Sequence, residues 1–277
     1  MAAPPLVPTM LTRDGAAWVL AVGAPLDVAH LEGPLAHALD QVERDVGTGV
    51  VVTAARSDGA LGDGDLAAMR AGPAAHGRAL QAQLARLARL PSVAAVHGRA
   101  TGAGACLALA CRALAMSADA TLAWPEVTVG LVPAGGACWR LPRRMGLVAA
   151  LPHLVGAPLH RDVAIATRLA LSLPAGDASE LVHAAIAALT TLPPKPPRPR
   201  QALGLAIAAQ LRPFRGTIFR AAERHLPPPL RGTPAAIAAL RGTAIGWEQG
   251  PTAADAFAIA ANEELCRTAA AAEATSR

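Results

Sequence analysis

Apolar side chains recur along this chain with two periods, and the switches between them mark its elements. Residues 17–22, Ala-Trp-Val-Leu-Ala-Val, follow an Arg13-Asp14-Gly15 turn and predict a strand. Over residues 30–46, Leu31, Leu35, Leu39, Val42 and Val46 stripe one face of a helix. Gly49 stops that helix, and Val50-Val51-Val52-Thr53 reads as a fully buried strand. Strand, helix and strand at this spacing predict a βαβ unit with a parallel sheet. Leu80, Leu84, Leu87 and Leu90 form a second helical stripe, with Arg78, Arg86 and Arg89 on its solvated faces, and Pro91 ends it. Residues 92–96 predict a short buried strand. Residues 105–116 are apolar almost all round, which predicts a buried helix.

Between those last two elements lie Gly98, Gly102 and Gly104. A glycine loop feeding a helix N-terminus lets backbone approach a ligand closely and presents free N–H groups at a positive dipole end. Such a loop is either an anion site or a tight strand–helix turn with no ligand, and the residues alone leave both open. Two better-known anion loops are excluded. No lysine follows Gly104, as the Walker A loop requires, and Leu107 stands where the dinucleotide fingerprint needs its third glycine. No serine occupies a Gly-x-Ser-x-Gly elbow. His97, beside the turn, suits a packing role better than that of a general base.

In order, the chain carries Ala94-Ala95-Val96-His97-Gly98, Gly102-Ala103-Gly104, Pro125-Glu126, Gly130-Leu131-Val132-Pro133 and Arg140-Leu141. This ordered set resembles the crotonase superfamily, the enoyl-CoA hydratase/isomerase family, over residues 50–170, with divergent flanks. The resemblance implies an α/β fold, a crotonase-like ββα spiral core with a C-terminal helical region. It also implies an oxyanion hole made of the backbone N–H groups of Gly64 and Ala103. Gly64 lies in Gly62-Asp63-Gly64-Asp65-Leu66, which matches the family's Ala-Gly-Ala-Asp-Leu position. Asp63 departs from the family glycine there and reads as a solvated turn residue, and Asp65 reads as the N-cap of the next helix. Hydratases of the family use two glutamates. Cys106 occupies the first of those positions and Glu126 the second. A buried thiol, with a reference pKa of about 8.5 that burial raises, is a poor base near neutrality. One acid/base group, Glu126, suffices to move a double bond, because it can take a proton at one carbon and return it at another. The implied activity is therefore isomerisation of an enoyl thioester, in a pocket that includes Asp63, Cys106, Trp124 and Pro133. A hydratase, a decarboxylase that needs only the oxyanion hole, and a degenerate non-catalytic member with a structural role stay open.

Composition narrows the setting. At 277 residues with 53% hydrophobic and 16% charged content, the chain can bury a sizeable core and is not disordered. Arg112 and Asp119 interrupt its richest apolar region, so no membrane span is expected. The N-terminus lacks the basic stretch of a secretory signal, which predicts a cytoplasmic protein. Cys106, Cys111, Cys138 and Cys266 have no Cys-x-x-Cys spacing, so free thiols are expected and no metal site. The net charge of +5 suits a phosphate-bearing ligand or an acidic partner. Lys195, Arg198 and Arg200 could meet nucleic acid, but 3% aromatic content with no tyrosine supplies few stacking platforms and disfavours it. No cofactor is expected; coenzyme A, or the pantetheine of a carrier protein, enters as part of an acyl thioester substrate. Residues 192–200 are proline-rich and basic and divide the chain. The expected units are a core at 1–192, a linker at 193–200 and a helical region at 201–277, broken at Pro227-Pro228-Pro229. Residues 145–170 resemble the family's helix-turn-helix beyond the active site. The family's C-terminal helices imply a homo-oligomer, a trimer or hexamer.

Overall fold

The valine run at 50–52 explains the layering of the molecule. Alternate side chains on a strand face opposite sides, so Val50 and Val52 enter one hydrophobic core while Val51 enters another. In the computed structural model, residues 6–45, 48–62, 65–173, 177–193, 199–200 and 203–275 are described. Their strands are β1 (Met10–Asp14), β2 (Ala17–Val22), β3 (Gly49–Ala54), β4 (Ser92–Val96), β5 (Arg99–Thr101), β6 (Ala113–Met116), β7 (Thr121–Ala123) and β8 (Leu159–His160). The helices before the glycine turn are α1 (Val28–Glu32), α2 (Pro34–Arg44), α3 (Asp65–Ala71) and α4 (Pro73–Leu87). From that turn onward come α5 (Gly102–Ala110), α6 (Ala137–Met145), α7 (Leu147–Leu154), α8 (Arg161–Ala166) and α9 (Ala178–Leu189). The C-terminal helices are α10 (Leu203–Gln210), α11 (Arg212–Arg224), α12 (Pro234–Glu248) and α13 (Pro251–Thr275).

The main sheet has the order β1-β2-β3-β4-β6, with β1 antiparallel to β2 and the other pairs parallel. One face packs Val50, Val52, Val96 and Leu114 against Leu35, Leu39, Leu80, Leu84 and Leu107 of α2, α4 and α5. The opposite face packs Val51, Val93, Ala95 and Ala115 against Leu181 and Ala185 of α9. Both faces are covered, as parallel sheets require. A second sheet, β5-β7-β8, carries the glycine turn. The α/β spiral with a C-terminal helical region is therefore present. The helices of that region share a core with the rest: Leu226, Leu240 and Ala258 pack with Val127, Val132 and Leu151. The linker residues 194–198 lie outside the described residues.

Three expected elements are corrected. The helix expected over 105–116 starts earlier and stops at Ala110, and Ala113–Met116 is the edge strand β6. A run that is apolar on nearly every side carries no clear period, so it does not reveal where helix gives way to strand, although Arg112 stands at the break. The helix expected over 30–46 is two helices, because Pro34 lacks an N–H and its ring would clash with the carbonyl four residues back. Its apolar stripe survives the break, with Leu31, Leu35, Leu39 and Val42 all buried. The helix ending at Pro91 closes at Leu87, and Leu90 belongs to the turn after it.

A buried cation closes α5. Arg144, 8% exposed, donates from Nη1 to the carbonyls of Leu109 (2.8 Å) and Cys111 (2.9 Å). These lie at the helix's C-terminal end, where carbonyls lack intrahelical partners and the dipole favours a positive charge. Burial lowers the guanidinium pKa to about 10, still charged at neutrality. Replacing it, as in Arg144→Leu, leaves two buried carbonyls unsatisfied. This substitution is expected to cost at least about 2 kcal/mol in urea unfolding; a loss below about 0.5 kcal/mol would show that water or another donor takes over.

Candidate active site

Three segments of chain leave the second sheet at the same end. β5 and β7 run parallel, with Thr101 opposite Ala123. On the other side of β5, Leu61 forms a parallel bridge to Ala100. Its N–H donates to Arg99 O (3.0 Å), and its carbonyl accepts from Thr101 N–H (2.8 Å). The residues that follow are Gly62, Gly102-Ala103-Gly104 and Trp124-Pro125-Glu126. They emerge side by side at the C-terminal ends of parallel segments, the end at which α/β sheets collect their ligand sites.

Backbone meets backbone there. A Cβ on Gly62 would lie 2.1 Å from Thr101 O and 2.6 Å from Gly104 N, and one on Gly104 would lie 2.3 Å from Leu61 O. Only glycine permits this approach. It seats the 61–62 segment on the first turn of α5. Ala103 lies in that turn, buried, where helix N–H groups point out of the positive end. Asp63 and Gly64, expected in the pocket and as the second oxyanion donor, lie outside the described residues. Asp65 opens α3 as its first residue.

Glu126 sits in a 3-10 turn, Pro125–Val129, that follows β7. Its side chain is carried inward, 1% exposed. The turn is closed by Gly130 in the left-handed region (φ +83°) and by Leu131 N–H donating to the Glu126 carbonyl (2.8 Å). Burial pushes the neighbouring Cys138 thiol up to about 12, and the negative charges of Glu126 and Asp255 push the same way. Trp124 is fully buried just before the turn, and its indole Nε1 meets no acceptor among the described residues. Pro133 is buried beyond it, and its carbonyl accepts from Cys138 Sγ (3.6 Å).

Cys106 lies one turn along α5 from Ala103, 1% exposed. Its Sγ donates to Ala134 O (3.2 Å). The Ala134-Gly135-Gly136 turn rests on it: a Cβ on Gly135 would fall 3.2 Å from the sulfur. His97 packs on Gly59, with Nδ1 3.3 Å from Thr53 Oγ1, in line with a packing role.

Three residues that sequence reasoning passed over complete this region. Asn262 of α13, 2% exposed, bonds both backbone groups of Val132. Trp139 of α6 donates from Nε1 to Asp255 of α13 (3.2 Å), while the Arg140 guanidinium stacks 4.4 Å from the Trp139 ring. The only sequence signal for Asn262 and Asp255 is a polar residue within the alanine-rich 251–262 stretch. A separate apolar cleft of about 780 Å³ opens between α7, α11 and α12, lined by Val148, Leu151, Val155, Ile218 and Leu226. It touches the outer side of the Glu126 turn at Thr128 but includes none of Ala103, Cys106, Trp124 or Glu126.

Burial raises the Asp255 carboxyl to about 6, against the opposing pulls of the Trp139 hydrogen bond and the Arg140 charge. The unfolded chain, with an ordinary carboxylate, gives up that proton first. The contribution of Asp255 to stability is therefore full below about pH 4 and falls as pH rises through about 6. Asp255→Asn keeps an acceptor for Trp139 and removes the titration. The variant's thermal midpoint is expected to gain on the parent's between pH 4 and 7 and then level off; a difference independent of pH would contradict this account.

Comparison with known proteins agrees with the geometry. An Arabidopsis thaliana peroxisomal fatty acid beta-oxidation multifunctional protein is 44% identical over 72 residues, 26% of this chain and 10% of that protein. A probable enoyl-CoA hydratase from Bacillus subtilis is 36% identical over 110 residues, 39% of this chain and 42% of that one. The matched segments thus span from a tenth to under half of these relatives. The crystal structure of an enoyl-CoA hydratase from Polaromonas shares the fold, with a TM-score of 0.58 and 24% identity over 67% of this chain and 77% of that one. The description of the enoyl-CoA hydratase/isomerase family matches residues 29–226, well over half of the chain. The chain belongs to the enoyl-CoA hydratase/isomerase family.

Proposed function

We propose that this protein isomerises the double bond of an enoyl thioester, with Glu126 as the one acid/base group. The observation that carries the reading is the shared exit of the Gly62, Ala103 and Glu126 segments from neighbouring parallel ends. It brings the first turn of α5 and the buried Glu126 to the same end of the sheet, which supports this reading.

In this reading the thioester carbonyl of a 3-enoyl substrate lies against the N–H of Ala103 and that of Gly64. Glu126 takes a proton from the α carbon. The released electron pair moves onto the carbonyl oxygen, and the donors stabilise the enolate; losing one such donor typically costs about 2.7–4 kcal/mol. The electrons then return through the new α,β double bond, and the protonated Glu126, whose proton can exchange with solvent, gives a proton to the γ carbon. No water is consumed, so no second carboxylate is required. Hydration would need a group to place and activate water where the family's first glutamate stands. Here that position holds Cys106, buried beneath the Ala134-Gly135 turn with its thiol on Ala134 O. This favours isomerisation over hydration. The coenzyme A or carrier-protein pantetheine arm belongs to the substrate, and the chain's positive charge suits its phosphates.

The test is double-bond migration in a 3-enoyl-CoA, with solvent deuterium followed into the product. Glu126→Gln keeps the shape and removes the base, and is expected to lose at least about 100-fold in rate with the fold intact. Full activity in that variant would overturn the assignment. No turnover by the parent on any enoyl thioester would move the reading to a non-catalytic member of the family.

We also propose that the chain assembles as a trimer or a dimer of trimers. Ile207, Leu211 and Phe214, at the end of α10 and the start of α11, stand exposed and support this reading. Light scattering at micromolar concentration is expected to give three or six times the chain mass, and a clean monomer would refute it.

A further inference from the structure

We propose that Asn262, 130 residues beyond its partner, is a positioning residue for Glu126, acting through the backbone of Val132. The inference rests on the reading of Glu126 as the acid/base group.

Val132 N–H donates to Asn262 Oδ1 at 2.7 Å, and Asn262 Nδ2 donates to Val132 O at 2.9 Å. One carboxamide thus makes both bonds that a neighbouring strand would make, and fixes the peptide in position and in orientation. Val132 is 0% exposed and Asn262 2% exposed, so water does not compete for either bond. A buried pair of this kind is strongly held, because breaking it leaves unsatisfied polar groups in an apolar surrounding. Leu226, Leu240 and Ala258 supply that surrounding.

The fixed peptide is one residue from the bond that closes the catalytic turn, Leu131 N–H to Glu126 O at 2.8 Å. Two residues further on, Ala134 O holds the thiol of Cys106. On the near side of the clamp, Arg70 Nη2 donates to Val129 O at 2.6 Å. The 129–134 segment is therefore held from α3, α5, α6 and α13, and among the described residues Asn262 alone grips it by a side-chain donor and acceptor together. A shuttling carboxylate must reach two carbons of one substrate, so a small displacement of its turn acts on the chemical step more than on binding. No other side chain reproduces the grip at this length: aspartate lacks the donor when ionised, leucine lacks both groups, and glutamine is one carbon too long.

Three measurements test this. In the parent, the Val132 amide is expected among the slowest to exchange with deuterium. In Asn262→Asp and Asn262→Leu, kcat for double-bond migration is expected to fall about 10- to 100-fold, with KM changed less than about threefold. Purely structural weakening would instead lower the thermal midpoint and leave the kcat of the folded fraction unchanged. A folded variant with parental kcat, in a parent that Glu126→Gln inactivates, overturns this proposal alone. A parent without turnover overturns the proton-shuttle reading and this proposal together. If neither variant folds, the parental exchange decides: a slow Val132 amide supports the clamp and a fast one refutes it.

Discussion

The candidate site depends on one contact in which no side chain takes part. Gly62 and Gly104 bring the 61–62 segment and the start of α5 within backbone distance, and a methyl group on either would collide with a carbonyl. Leu61 holds the approach by exchanging two hydrogen bonds with the strand that leads into the helix. Because that strand pairs in parallel with β7, the same contact fixes where Glu126 leaves the sheet. The positions of Ala103 and Glu126 are thus set by sheet register and not by long side chains. This suits a reaction whose stabilising groups are backbone amides.

A chain with few charges places some of them in its interior, and each has a definite neighbour. Arg144 is stripped of water but holds the carbonyl end of α5. Arg140 lies flat on Trp139, whose indole N–H is engaged by Asp255. Desolvation moves these groups toward their neutral forms, Asp255 upward and Arg144 and Arg140 downward. The apolar packing that makes these shifts also gives short fixed hydrogen bonds their value, since water is not there to replace them.

The last long helix serves the site without belonging to its motifs. α13 packs on α4, α6 and α12, with Ile259 against Gly77 and Ala254 against Gly246. It sends Asn262 to the peptide of Val132 and Asp255 to Trp139. The C-terminal region is thereby continuous with the core through shared apolar clusters, and the helix reaches the segment that follows the Glu126 turn.

What the sequence determined by itself was local or ordered along the chain. The buried valine strand at 50–52, the leucine stripes of α2 and α4, the glycine turn and the spacing from Cys106 to Glu126 were legible, because composition, period, turn chemistry and motif order are properties of neighbouring residues. Tertiary structure decided the rest. Helix gave way to strand between Ala110 and Ala113 inside a run that is apolar but for Arg112, where sheet pairing with β4 and the Arg144 cap choose the boundary. The short strands β5 and β7 acquire their meaning from each other, since three residues carry no pattern of their own. Asn262 and Asp255 look like ordinary polar positions on an alanine-rich helix. Their partners Val132 and Trp139 lie 130 and 116 positions away and meet them only once α13 packs onto the core, because a hydrogen bond between distant residues leaves no trace in the local order of either.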